Sequence, residues 1–145
     1  MDNVKEKIKI TPIEEIFNPS ELEQLMKFVK PEVHQCHRNS FLLAMYPVRK
    51  NTTIEYNEGI ILRTTAHAFN SMVVDGERLY FDITDYNNSL KYGVERGKEA
   101  LLLRRYSPKE ILDKVIKDGE YQITIERDGT LTRVLEEMAE ASTEG

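Results

Sequence analysis

The sequence predicts an α+β domain, and two observations carry this prediction. Helix signals dominate the first third of the chain, where Pro12 suits a first helical position and Ser20 a cap. Strand signals dominate the centre, where β-branched and aromatic side chains surround the turn Asp75-Gly76. Helices followed by a run of strands are typical of α+β architectures.

The N-terminal part of the chain contains signals for three helices. Thr11 can cap a helix with Pro12 at its first position, and Pro31 stops the helix that Ser20 caps. After Asn39 the third segment is apolar nearly all round, which predicts a buried, central helix. We therefore expect helices over 11–17, 20–30 and 35–46.

The strands follow. Residues 53–62 form a strand signal that Glu58-Gly59 interrupts, which predicts a bulge. Asp75-Gly76 is the strongest hairpin signal in the chain and joins strands 67–74 and 79–84. The polar stretch 85–93 is expected to be a loop.

The remaining signals lie in the last third of the chain. Ser107-Pro108 begins a helix to about residue 117, and Leu101-Leu102-Leu103 fits a short strand or helix. Asp128-Gly129 predicts a second hairpin, which would join strands 121–126 and 130–134.

The bulk properties predict one domain over 1–145. A chain of 145 residues with 40% hydrophobic residues can bury one core, with 1–10 as an extended or disordered arm and 136–145 as a short helix that frays or is disordered. A net charge of −5 argues against nucleic acid or an anionic membrane as a partner. We find neither an apolar run of roughly 20 residues nor a signal-peptide core, and one cysteine excludes an internal disulfide. A cytoplasmic location is expected, and the oligomeric state is left open.

The single cysteine, Cys36, stands where the third helix begins. Unpaired N–H groups and the helix dipole favour a thiolate at this position. A lone cysteine at the start of an apolar helix is more often a packing residue. The chemistry of Cys36 therefore depends on whether the chain supplies a base and a group that orients it.

The Asp75-Gly76 turn supplies a geometric test. If Val74 pairs with Glu77, Asp82 lies opposite Phe69, two residues along the strand from His67, and therefore shares the face of His67. Their Cβ atoms should then be roughly 5–8 Å apart, close enough for a carboxylate to orient an imidazole. If the Cys36 helix packs on that face, a Cys-His-Asp arrangement is complete. Asp85 has the opposite parity, so Asp82 is preferred.

These pieces occur in an order that resembles small papain-like thiol enzymes, which include the NlpC/P60-like and transglutaminase-like branches of bacteria and phages. The similar segments span about residues 33–93 and are Cys36-His37-Arg38-Asn39-Ser40, Glu58-Gly59, His67-Ala68-Phe69, Val73-Val74-Asp75-Gly76 and Asp82-Ile83-Thr84. The resemblance implies a papain-like fold in which a central Cys-bearing helix packs on a twisted antiparallel sheet. It also implies that Cys36 is the nucleophile, His67 the base and Asp82 the orienting group.

The sequence departs from this pattern at two positions. His37 follows the cysteine where many such enzymes carry a bulky aromatic residue, and Phe69 stands where tryptophan is common. The chain contains no tryptophan at all. These departures leave the substrate and the subfamily open.

Two neighbours of the thiol have alternative roles. The Gln35 amide, like the Cys36 backbone N–H, could donate to an oxyanion, or Gln35 could be an exposed polar cap. Asn39 could bond locally or brace a neighbouring loop.

A metal site would need His34, His67 and Asp82 with Cys36 or His37, but no recognised metal-binding spacing supports it. No metal or other cofactor is expected.

The predicted function is therefore that of a cysteine-dependent hydrolase or acyltransferase. The bond attacked would be an amide in a peptide, an isopeptide or a glutamine side chain, and the substrate a peptide or protein, with a host protein as one candidate. One alternative is a catalytically silent binding or structural protein of phage or bacterial origin. Another is a transferase or deamidase that acts on a protein partner.

Overall fold

The structure, a computed structural model, describes the backbone of residues 1–144 and the side chains of residues 1–142. These residues form seven helices and one five-stranded antiparallel sheet, so the predicted α+β class is confirmed. The strands are β1 (Asp2–Lys9), β2 (Glu55–Ile61), β3 (Thr65–Val74), β4 (Glu77–Phe81) and β5 (Glu99–Tyr106). The helices are α1 (Ile13–Ile16), α2 (Pro19–Val29), α3 (Cys36–Ala44), α4 (Ile83–Tyr92), α5 (Pro108–Asp118), α6 (Thr124–Arg127) and α7 (Thr130–Glu144). None of these helices has both the length and the apolar character of a membrane span.

The sheet has the strand order β1-β5-β2-β3-β4 and curls until its two edge strands meet. Ile10, just after β1, forms a parallel bridge with Tyr80 of β4, and the Thr11 N–H donates to the Tyr80 carbonyl at 2.7 Å. The concave face therefore encloses an apolar cluster of its own, which includes Ile8, Phe69 and Leu102.

Helix α3 packs on the opposite, convex face of the sheet. The Asn70 side chain donates to the Ser40 carbonyl at 2.8 Å, and Ala68 packs with Phe41. Most of α3 is buried, and Leu43 is 0% exposed, as the apolar run predicted. The helix that begins with the cysteine is thus fixed along its length against β3.

Two turn and bulge predictions are confirmed. Asp75 and Gly76 both have positive φ, 50° and 80°, and Val74 pairs with Glu77 across a two-residue turn. The register of β2 against β5 shifts between Glu58 and Gly59, which is a bulge. A Cβ atom on Gly59 would lie 2.3 Å from the Leu101 carbonyl oxygen, so only glycine fits this close approach.

The helix signals are mostly confirmed, with shifted caps. Asn18, not Ser20, caps α2 by accepting the Glu21 N–H at 2.8 Å, and Pro12 precedes α1 in place of Thr11. Ser107 forms the predicted cap of α5.

Two predictions between residues 79 and 93 are wrong, whereas one of the two alternatives for 1–10 is confirmed. Residues 1–10 are extended, because β1 pairs with β5 and buries Ile8. Residues 85–93 are not a loop, because they belong to α4, which Asp82 caps and Gly93 ends with φ 65°. The stretch 79–84 is a strand only as far as Phe81, because α4 begins directly after Asp82.

The predicted second hairpin is also wrong. Asp128-Gly129 joins two helices, α6 and α7, because Leu131, Val134 and Leu135 recur at helical spacing and pack beside Ile125. The predicted fraying tail continues α7 to Glu144, and Gly145 lies outside the described residues.

Glu58, beside the bulge, has its carboxylate in the interior. Glu58 is 0% exposed, and its two oxygens accept four hydrogen bonds, two of them from the backbone of α6. Burial raises the pKa of Glu58, and its hydrogen bonds from Thr124, Tyr56 and Ile125 oppose that rise. This side chain ties α6 to β2.

We expect Glu58→Gln to lower the free energy of unfolding by about 1–3 kcal/mol, measured by urea denaturation. Oε1 accepts the Ile125 N–H at 3.0 Å and Oε2 accepts the Thr124 N–H at 2.8 Å. Whichever oxygen becomes an amide nitrogen then faces a backbone donor that cannot turn away. The exposed Glu77→Gln is the control and should change stability by less than about 0.5 kcal/mol. Equal effects would contradict the role of Glu58.

Candidate active site

His67 lies near the start of β3, opposite Gly59, on the concave face of the sheet. Its ring stacks on Phe69 with 6.5 Å between ring centroids, and its side chain is 12% exposed. Because alternate strand residues share a face, His67 and Phe69 point away from α3. The imidazole is therefore packed against Phe69 and keeps a narrow exposure to solvent.

Asp82 is the residue at which β4 gives way to α4. Its Oδ1 accepts the Asp85 N–H at 3.0 Å and so caps α4, while its Oδ2 lies 2.5 Å from His67 Nε2. The observed register, with Asn70 opposite Phe81, places Asp82 diagonal to His67 as the turn predicted. Contact between the His67 ring and the Asp82 carboxylate is thus confirmed.

Cys36 is the first residue of α3 and is half-buried. Its side chain interacts with the His67 ring and helps to raise the pKa of that imidazole. The assumption that α3 packs on the face of His67 is wrong, because α3 covers the opposite face. One edge of β3 is paired with β2 along the stretch that contains His67. The other edge is open there, because β4 ends opposite Asn70. Since Cys36 and His67 lie on opposite faces of β3, we infer that their side chains meet around this open edge.

The surroundings of His67 favour its charged form. Burial lowers its pKa, but the charge of Asp82, the hydrogen bond to Asp82 and the adjacent Cys36 side chain together raise the pKa of His67 well above 6.5. An imidazolium between a carboxylate and a thiol stabilises the thiolate. Its contribution to stability is fully present below about pH 6.5, the unfolded value, and is lost as pH rises through the higher folded pKa.

Asn39 links the two helices that carry the thiol and the carboxylate. It is 0% exposed, and its amide donates to Thr84 Oγ1 of α4 at 3.0 Å and to the Glu32 carbonyl at 2.9 Å. Its Oδ1 accepts the Glu32 N–H at 3.0 Å. Both roles predicted for Asn39 occur: its Oδ1 accepts a local hydrogen bond from Arg38 at 3.0 Å, and its amide holds the 30–32 loop and the start of α4 against α3.

Gln35 precedes α3 at its N-cap position and is exposed. Its side chain makes no capping hydrogen bond. The structure therefore places Gln35 beside the thiol without fixing its amide, and donation to an oxyanion stays a prediction.

The other two histidines lie apart from the His67–Asp82 pair. His34 is exposed, with φ 60°. His37 is buried against Tyr56, with ring centroids 5.1 Å apart, and burial lowers its pKa to about 4 although Asp118 opposes the shift. Among the residues that the structure describes, no three His, Cys, Asp or Glu side chains are grouped to hold a metal ion.

The sequence did not predict the contacts of Thr84 with Asn39 and of Asp85 with Gly97, because it did not predict α4. Asp85 Oδ2 accepts the Gly97 N–H at 2.6 Å, and burial together with the Asp82 charge raises the pKa of Asp85. A capping aspartate followed three residues later by an acidic residue, with glycine past the end, is a helix signature that could have revealed this element.

We expect Asp82→Asn to lower the pKa of His67, because the mutation removes the charge that opposes the burial of the imidazolium. The measurement is an NMR titration of the ring resonances. Asp85→Asn is the matched control, since its carboxylate is bonded to Gly97 and not to His67, and its effect should be much smaller. An unchanged His67 titration in Asp82→Asn would contradict the role of Asp82 in raising the pKa of His67.

Comparison of the chain with protein-family models, with curated proteins and with solved structures gave no match. Its function is therefore argued from the geometry of the site.

Proposed function

We propose that this chain is a cysteine-dependent hydrolase or acyltransferase that acts on an amide, with Cys36 as nucleophile, His67 as base and Asp82 as orienting group. One observation carries the proposal. The His67 ring is bonded to the Asp82 carboxylate at 2.5 Å and also interacts with the Cys36 side chain, which helps to raise the pKa of the imidazole. A nucleophile, its base and a third group that orients the base are the minimum for covalent acyl transfer.

The mechanism begins with proton transfer from Cys36 to His67. The thiolate attacks the amide carbonyl carbon and forms an oxyanion. The backbone N–H of Cys36 is free to donate to this oxyanion, because the first N–H groups of a helix have no partner within the helix. The Gln35 side-chain amide is a second donor. The C–N bond breaks as His67 donates its proton to the leaving nitrogen, which leaves a thioester. Water or an amine then attacks the thioester, gives a proton to His67 and releases the thiolate.

The fold supports a papain-like interpretation. A helix that begins with the cysteine packs on an antiparallel sheet, the histidine lies on the adjacent strand, and the aspartate follows the next strand. This is the arrangement that the resemblance to papain-like thiol enzymes implies. The substrate proposed is a peptide or protein, and a free thiol suits a reducing cytoplasm.

We expect iodoacetamide to alkylate Cys36 at pH 6 at least about ten times faster than it alkylates free cysteine, which with a pKa of about 8.5 is hardly ionised there. Because Cys36 is the only cysteine, mass spectrometry of the whole protein reports its modification directly. His67→Ala should abolish the rate advantage, because it removes the imidazolium that stabilises the thiolate.

Asp85→Asn serves as the control and should retain most of the advantage. If Cys36 reacts no faster than free cysteine in the folded protein, the enzyme hypothesis fails and a catalytically silent binding protein is favoured. If the thiol is reactive, mass spectrometry of candidate acceptor proteins separates the possible reactions. A mass change at glutamine indicates deamidation or transamidation, and a shortened chain indicates cleavage.

A further inference from the structure

A cleft of about 830 Å³ opens beside the His67–Asp82 pair. Both residues line it, whereas Cys36 does not. In acyl transfer the imidazole protonates the leaving group, so the leaving group must lie on the imidazole side of the thiol. The cleft lies on this imidazole side, where the leaving-group half of a substrate would bind.

The rim of this cleft contains a strained turn. Leu62 and Arg63, between β2 and β3, both adopt left-handed backbone conformations, with φ 50° and 72°. Glycine and asparagine are the residues that adopt positive φ most readily, and Leu and Arg are costly there. Leu62 is also 83% exposed, so burial does not offset the strain. The Arg63 side chain makes no hydrogen bond or ion pair within residues 1–142, and both side chains line the cleft.

The rim also carries unbalanced charge. Arg63 and Lys98 have no ion-pair partner within residues 1–142, and Glu95 is the one cleft carboxylate there that lacks a hydrogen bond or ion pair. The other charged side chains of the cleft have partners: Lys7 with Glu99, Arg96 with Glu14, Asp82 with His67, and Asp85 with the Gly97 N–H. Two free cations against one free carboxylate favour an acidic ligand, although the whole chain carries −5.

We infer that this cleft binds the leaving-group half of the substrate as a peptide segment in which an apolar residue is followed by an acidic one. Leu62 would contact the apolar side chain, and Arg63 and Lys98 the carboxylate. Arg63 lies four residues from His67, at most about 13 Å along the strand, and three extended residues span about 10 Å. The inference rests on the proposed function and specifies its substrate.

The test uses acceptor amines, because by microscopic reversibility an incoming amine occupies the site of the leaving group. The Cys36 thiolate attacks the carbonyl carbon of p-nitrophenyl acetate, a C–S bond forms as the ester C–O bond breaks, and p-nitrophenolate leaves. The amine of Ala-Leu-Glu-amide or Ala-Leu-Lys-amide then attacks the thioester carbonyl. The C–S bond breaks, a C–N bond forms, and the amine proton passes to His67 as the thiolate is released. Mass spectrometry measures the N-acetyl product of each tripeptide amide.

We expect the Glu peptide to be acetylated about two- to fivefold more efficiently than the Lys peptide, the range for a partly exposed ion pair. L62N/R63G should abolish this preference while raising the midpoint of thermal unfolding, because it relieves the strained turn. Asp75→Asn, at the left-handed position of the other hairpin and outside the cleft, is the control and should retain the preference.

Equal use of the two peptides, or an unchanged preference in L62N/R63G, would overturn the inference. If Cys36 is not acetylated, the proposed function fails, and NMR titration of Cys36→Ser with the same two peptides tests the cleft alone. Tighter binding of the Glu peptide, weakened in C36S/L62N/R63G, would support the cleft assignment. Binding that does not distinguish the peptides would refute it.

Discussion

The arrangement of the candidate site depends on the carboxylate of Asp82. One of its oxygens caps α4 and the other holds the His67 ring, so the start of a helix and the orientation of an imidazole are fixed by one side chain. The pair is largely excluded from water, with 12% of the His67 and 8% of the Asp82 side chain exposed. In such surroundings the interaction of their charges is strong enough to overcome the burial of the imidazolium, which accounts for the raised pKa of His67.

The same residue explains how the thiol reaches the imidazole. Because the chain turns into α4 at Asp82, β4 stops at Phe81 and leaves the first part of β3 with an open edge. Cys36 lies on a helix that covers the convex face, and it meets His67 around that edge. The Asn39–Thr84 hydrogen bond then keeps the two helices together. Three contacts between ends of elements therefore define the geometry of the site.

The cost of the buried polar groups is offset by hydrogen bonds, whereas the cost of the strained turn is not. Asn39 and Glu58 are both fully buried, and each is surrounded by hydrogen-bonding partners that offset the loss of water. Leu62 and Arg63 occupy unfavourable backbone conformations without any comparable gain from the fold. Local conflicts of this kind concentrate at functional sites, which is why the cleft rim, and not the interior, suggests what the protein binds.

The sequence by itself determined the α+β class, the buried Cys36 helix and the register that joins His67 to Asp82. These depend on local patterns: caps, an apolar run and a two-residue turn whose parity carries along both strands. Only the tertiary structure decided that Asp128-Gly129 joins helices, because the same dipeptide serves both turns and the packing of Leu131 and Val134 makes the choice. It also decided that α3 covers the convex face, since that depends on contacts between residues distant in sequence, such as Asn70 with Ser40.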